Sequence, residues 1–187
     1  MKKLVVLLVF AACSAGLFAQ KEISGITLPA AIKAGNETLM LNGGGTRVKF
    51  FIDVYVCGLY LPSKSADANA VIKAGNAEAV RIVITSKLVS SDKMAEAVTE
   101  GFEKSMGGNT ASLKNEINKF VSIFKREPIV KGDVFDLIYN PAEGVRVLKN
   151  NKQQDVIAGA AFKQALLGIW LGNDPVDKDL KAGMLGK

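Results

Sequence analysis

Between residues 47 and 55, four polar side chains, Arg47, Lys49, Asp53 and Tyr55, alternate with apolar ones. In an extended strand, side chains point alternately to opposite faces, so these four share a face with Phe51. Val48, Phe50, Ile52, Val54 and Val56 then form an apolar face suited to a core. The chemistry open to the polar face is narrow. The chain has no histidine, which excludes Ser-His-Asp and Cys-His catalysis and removes the commonest transition-metal ligand. Carboxylate, hydroxyl, lysine and arginine chemistry remain. Cys57, flanked by Val56 and Gly58, reads as a buried free thiol, since the only other cysteine is Cys13 near the N-terminus.

The elements that must hold these residues begin after a leader. Residues 1–19 carry two lysines, an apolar run from Leu4 to Ala12 and then small residues, the pattern of a secretory signal peptide cut after Ala19. This implies an exported protein, periplasmic or extracellular. FAAC at residues 10–13 offers an alternative in which Cys13 is a lipid-anchored cysteine, although Phe10 stands where leucine is usual. Residues 20–187 are enough for a single domain with a sizeable core. The formal charge of +6 falls to +4 once Lys2 and Lys3 leave. The lysines are scattered and not interleaved with aromatics, which argues against a nucleic-acid groove. No later stretch is apolar over a membrane-spanning length.

In chain order, 22–29 and 37–41 alternate as short strands, and Asn42 to Gly45 reads as a glycine-rich turn into one long strand ending at Pro62. A short helix is expected over 66–74, closed by Gly75, then a strand over 79–86. Ser90 to Asp92 supply caps for a helix that runs to Gly107-Gly108. Leu113, Ile117, Phe120, Val121 and Phe124 recur at helical spacing and predict a core-facing stripe. Two further strands follow Pro128, DVFDLIYNP and GVRVLKNN, joined by a turn at 140–144. A helix through Phe162, Leu166, Ile169 and Trp170 comes next, then a terminal helix over 175–185 capped by Asp174 with Pro175 in its first position. Strands, paired helices, strands and C-terminal helices make an α+β arrangement.

Three segments carry a resemblance to a known family: GGGTRVKFFIDVYVCGLYLP at 43–62, SSDKMAEAVTEGFEKSMGG at 90–108 and FKQALLGIWLGNDPVDKDLKAGMLG at 162–186. In this order they resemble the chalcone isomerase-like superfamily. The resemblance implies an open-faced β-sandwich, a large antiparallel sheet covered by helices. It also implies a site without a cofactor or metal. In the plant isomerases of that superfamily an arginine, a threonine and a helical tyrosine, lysine and asparagine serve ring closure. The arginine matches Arg47, the threonine position holds Tyr55, and the helical set falls on Met94, Ala97 and Gly101. Without those donors the electrostatic help to intramolecular addition is lost. The chain is more similar to the fatty-acid-binding branch, where an arginine and a tyrosine hold a carboxylate at the end of an apolar cavity, as Arg47 and Tyr55 could.

Eight residues along a straight strand would separate the two by roughly 26 Å, so sharing one carboxylate requires the chain to fold back between Lys49 and Asp53. The family turns there in a hairpin, whereas this segment is shorter and has no Gly, Pro or Asn. Lys49 and Asp53 read as solvated, and Tyr60, Arg81 and Tyr139 as secondary polar candidates. The favoured reading is a non-catalytic binder of a fatty acid or similar amphipathic carboxylate. An isomerase or intramolecular lyase on another substrate and a ligand-free structural or interaction protein are the alternatives. Oligomeric state is open.

Overall fold

Phe50 and Phe51 both adopt positive φ, 51° and 63°, and that two-residue turn organises the fold. It divides the expected long strand into β4 (Glu37–Lys49) and β5 (Ile52–Leu61), which run antiparallel. In the computed structural model, which describes residues 20–187, a small hairpin of β1 (Lys21–Ile23) and β2 (Ile26–Leu28) precedes a seven-stranded antiparallel sheet. The sheet runs in sequence order through β3 (Ala31–Ala34), β4, β5, β6 (Glu78–Ile84), β7 (Val134–Asn140), β8 (Gly144–Lys149) and β9 (Lys152–Ile157). The leader and Cys13 lie outside the described residues. Helices α1 (Ala68–Lys73), α2 (Ser91–Ser105), α3 (Lys114–Ile123), α4 (Ala160–Leu171) and α5 (Lys178–Met184) complete the chain. The arrangement is α+β, an antiparallel sheet covered by helices.

Between the sheet and the helices lies the main core. Tyr55, Cys57, Leu59 and Leu61 point into it from β5, and Val80, Ile82 and Ile84 from β6. The expected helical stripe is its counterpart: Ile117, Phe120 and Phe124 are buried. Phe120 packs edge-on to Phe102, Phe124 and Phe162 with ring centroids 5.2–6.0 Å apart. On the opposite face, Val56 and Val83 pack beneath Leu28 and the β1–β2 hairpin. The two sequence-derived faces of β5 are therefore exchanged. Tyr55 faces the large core and Val56 the small one, because the helices need the wider apolar surface that Cys57, Leu59 and Leu61 extend.

The glycine-rich segment is not a turn. Gly43, Gly44 and Gly45 are interior to the 13-residue strand β4, where glycine marks a close approach of another backbone. A side chain on Gly43 would run into the carbonyl oxygen of Gly183, and one on Gly183 would come within 2.8 Å of the Gly44 carbonyl oxygen. Helix α5 thus lies directly on the strand. Asn42 secures it, donating to the Met184 carbonyl at 2.8 Å and to the Ser65 carbonyl at 2.9 Å. The cap of α5 is Asp177, not Asp174: its Oδ1 accepts from the backbone N–H of Asp179 and of Leu180, 3.0 Å each. The edge strand β9 was not expected from the sequence, because KQQDV has little apolar content. Its signal was Asn150-Asn151, whose φ of 51° and 66° make the tight hairpin turn.

Helix α3 and the turn after it are tied to β9 by Asp155, which accepts from Lys119 of the helix at 2.9 Å and from Arg126 of the turn at 2.7 Å. The Arg126 hydrogen bond, outweighing burial and aided by Lys119 and the Val156 N–H, holds the Asp155 carboxyl down to about 2. A depressed carboxyl contributes stability above its unfolded value, near 3.8, and loses it as pH falls towards 2. Asp155→Asn is expected to cost about 1 kcal/mol or less at pH 7, because the pair is partly solvated. The difference between variant and wild type should vanish between pH 4 and 2 in urea titrations.

Candidate ligand-binding site

Because the chain reverses at Phe50-Phe51, Arg47 and Tyr55 become direct partners across β4 and β5. Directly opposed residues of an antiparallel pair project from the same face, with Cβ atoms about 5 Å apart. A register shift at Arg47/Val48 marks a bulge next to the arginine, a common device for re-aiming a side chain. Both side chains line a cavity of about 420 Å³ between the concave side of the sheet and α2, α3 and α4. Its inner wall is apolar, with Val54, Ile82, Leu137 and Ile169 among its lining, while Lys49, Lys93, Glu96, Glu100 and Lys104 also border it. Met94, Ala97 and Gly101 all face the cavity from α2 and bring no polar group.

Tyr55 is buried, and its hydroxyl accepts a hydrogen bond from Trp170 Nε1 at 3.0 Å. Burial pushes this hydroxyl far above the ordinary tyrosine range, with Cys57 adding to the effect and Trp170 opposing it. It is therefore a neutral donor over the accessible pH range. Among the described residues its own proton has no acceptor, and an incoming bond from the indole strengthens the outgoing one. The sequence reading places Trp170 in a helix without a polar partner. Its signal was chemical, since a buried indole N–H needs a partner.

Arg47 uses one end of its guanidinium locally. Nη1 donates to the Val48 carbonyl at 2.7 Å and, at 3.4 Å, to Asp177 Oδ2. Nε and Nη2 make no hydrogen bond among the described residues, which leaves two parallel donors of the kind that grip a carboxylate. Burial would raise the Asp177 carboxyl, but the N–H groups of Leu180 and Val48 and the Arg47 charge together hold it below its ordinary value. Asp177 stays ionised and anchors the arginine. This residue escaped the sequence reading, since nothing local pairs α5 with β4.

Of the secondary candidates, none lines the cavity. Tyr60 faces the other side of the sheet and donates to the Pro29 carbonyl at 3.0 Å. Arg81 forms a two-pronged pair with Asp136 at 2.7 and 2.8 Å. Tyr139 lies beneath the Lys163 ammonium, 5.1 Å from its ring centroid. Cys57 is fully buried, and desolvation pushes its thiol well up, which makes it inert. Among the described residues no three carboxylate or thiol side chains converge as a metal site.

A sequence model of chalcone isomerase-like proteins matches residues 20–186. The chain belongs to the chalcone isomerase-like family. A crystal structure of an Arabidopsis thaliana fatty-acid binding protein shares the fold, with a TM-score of 0.67 over 86% of this chain and 92% of that one, at 21% identity. No curated protein matches the sequence significantly. In this chalcone isomerase-like chain, then, the family fold places the cavity between sheet and helices, and its polar end is built from β4, β5, α4 and α5.

Proposed function

We propose that this protein is a non-catalytic binder of a fatty acid or similar amphipathic carboxylate, its tail in the apolar cavity and its carboxylate at Arg47 and Tyr55. The observation that carries this reading is the pair of unspent donors, the Tyr55 hydroxyl proton and the Nε/Nη2 edge of Arg47, on a cavity whose inner wall is apolar. The cavity volume of about 420 Å³ is in the range of small-molecule sites. The fatty-acid binding title of the Arabidopsis protein of the same fold supports the same class of ligand. An isomerase reading would need polar groups at the α2 positions held by Met94, Ala97 and Gly101; the charged residues that α2 does bring to the cavity, Lys93, Glu96, Glu100 and Lys104, are exposed side chains at its border. The leader pattern of residues 1–19 supports action outside the cytoplasm, periplasmic or extracellular, which N-terminal sequencing of exported protein tests.

Native mass spectrometry of the protein offered excess palmitate is expected to show one bound fatty acid. Arg47→Ala should weaken binding roughly ten- to hundredfold, the weight of a charge-assisted hydrogen bond. Tyr55→Phe should weaken it about three- to tenfold, and methyl palmitate should bind poorly to wild type. Absence of any bound small molecule from the wild type would falsify the proposal, as would equal affinity for acid and ester.

A further inference from the structure

Every large apolar side chain that the described residues leave exposed lies at one end of the seven-stranded sheet. Val48, Phe50, Phe51 and Ile52 surround the β4–β5 turn, Leu88 sits on the β6–α2 loop and Val130 on the loop before β7. The antiparallel register brings these loops together, with Tyr55 opposite Ile84 and Val83 opposite Val134. Hydrogen bonds clamp them. The Thr85 N–H donates to the Val54 carbonyl at 3.1 Å and its hydroxyl to the Asp53 carbonyl at 2.7 Å, while the Gly132 N–H donates to the Ile84 carbonyl at 2.8 Å.

The hairpin tip is the unusual part. A two-residue turn with both φ positive favours Asn-Gly, yet here it holds two phenylalanines that are 83% and 102% exposed. Backbone strain and water-facing rings together are not explained by folding. Each apolar loop also carries an adjoining exposed lysine: Lys49 beside Phe50, its ammonium 5.9 Å from the ring centroid, Lys87 beside Leu88 and Lys131 beside Val130. The exposed acids nearby are Asp53 at the base of the hairpin, Glu127, which faces Lys149 and Lys152, Asp92 in the first turn of α2, and Glu96 and Glu100, which border the cavity together with Lys93 and Lys104. Phe50, Ile52 and Leu88 also line the cavity, so this surface is continuous with its mouth.

We propose that this end of the sheet docks on an anionic lipid bilayer, with Phe50 and Phe51 entering the interface and Lys49, Lys87 and Lys131 facing the headgroups. Rings at the apolar boundary with cations beside them match the chemistry of such a surface. The same lysines would repel a second copy. Docking opens the cavity mouth towards the bilayer, where an amphipathic ligand could pass without crossing water.

Flotation with phosphatidylglycerol/phosphatidylcholine vesicles tests this, comparing wild type with the double variant Phe50→Asn/Phe51→Gly. That variant suits the turn, so its melting temperature should equal or exceed the wild type's. Wild type should float with anionic vesicles, less with phosphatidylcholine alone and less at high salt. The double variant's partitioning should fall by about tenfold or more. Equal partitioning of the two proteins overturns the proposal, as does wild type that ignores anionic vesicles at low salt. A wild-type dimer that the same variant dissociates, with no vesicle binding by either, would assign the surface to self-association instead. Palmitate binding measured without vesicles stands apart from these outcomes, so docking can fail while ligand binding holds, and the reverse.

Discussion

Replacing Gly43 by valine is expected to lower stability by about 3 kcal/mol or more and to release α5 from the sheet. The new Cβ would meet the Gly183 carbonyl oxygen and lie 2.9 Å from both the Gly186 nitrogen and the Met184 carbonyl oxygen. All three are backbone atoms, so no rotamer change relieves the contact and the helix must lift. Lifting it exposes Leu180, Met184 and Leu185, each at most 5% exposed in the folded chain, at about 1.5–3 kcal/mol for each side chain fully uncovered. It also breaks the Asn42–Met184 hydrogen bond and withdraws Asp177 from Arg47. The structural effect should therefore reach the proposed ligand site, loosening the guanidinium and weakening the carboxylate binding proposed there. Urea unfolding and limited proteolysis near the C-terminus check the first part, and palmitate titration the second. Gly45→Ala is the control. Its Cβ meets a Leu180 methyl group at 3.2 Å, a flexible tip that can shift, so a loss below about 1.5 kcal/mol is expected. A mild effect at Gly43 would mean that α5 does not rest on the β4 backbone.

The second large effect is expected at Lys163, 1% exposed on α4. Its ammonium donates to Glu78 Oε1 at 2.5 Å and to the carbonyls of Ile72 and Ala74 at 2.9 and 2.7 Å. It thus neutralises a buried carboxylate and satisfies the C-terminal end of α1 at once. Lys163→Met leaves Glu78 buried without its partner, and breaking such a pair from one side costs about 3–5 kcal/mol. Burial already raises the Glu78 carboxyl above its ordinary value, against the pull of Lys163. Removing that pull raises it further. A group whose folded-state value lies above its unfolded one contributes stability at low pH and loses it as pH rises through the folded value. The Lys163→Met deficit should accordingly be larger at pH 8 than at pH 5 in urea titrations. Lys163→Met/Glu78→Gln should recover part of it at pH 8, leaving the cost of the α1 carbonyls. A deficit independent of pH would show that Glu78 does not titrate with folding.

Much of the local structure is legible from neighbouring residues. The stripe Leu113 to Phe124, the Ser90 cap and the strands around Ile82 and Leu137 follow from spacing that near neighbours set, and the family resemblance rests on three contiguous segments. Arg47 and Tyr55 were named on that basis, and the geometry puts both on one cavity. The errors share a cause. The glycine run reads locally as a turn, but it is strand because α5, some 140 residues later, needs bare backbone beneath it. Phe50-Phe51 carries none of the usual turn residues and still reverses the chain, since pairing along the whole of β4 and β5 outweighs two residues' conformational preference. The face of Tyr55 could not be read from alternation, because both sides of β5 are covered and apolar residues line each.

The sequence by itself determined the order and type of most elements, the family and the absence of histidine, and it singled out Arg47 and Tyr55, which both line one cavity. Only the tertiary structure decided that Arg47 and Tyr55 stand opposite one another, and that Trp170 and Asp177 hold them. It also decided that two phenylalanines face water at the cavity mouth. The physical reason is separation along the chain: Tyr55 meets Trp170 across 115 positions and Arg47 meets Asp177 across 130, distances over which no local pattern specifies a partner.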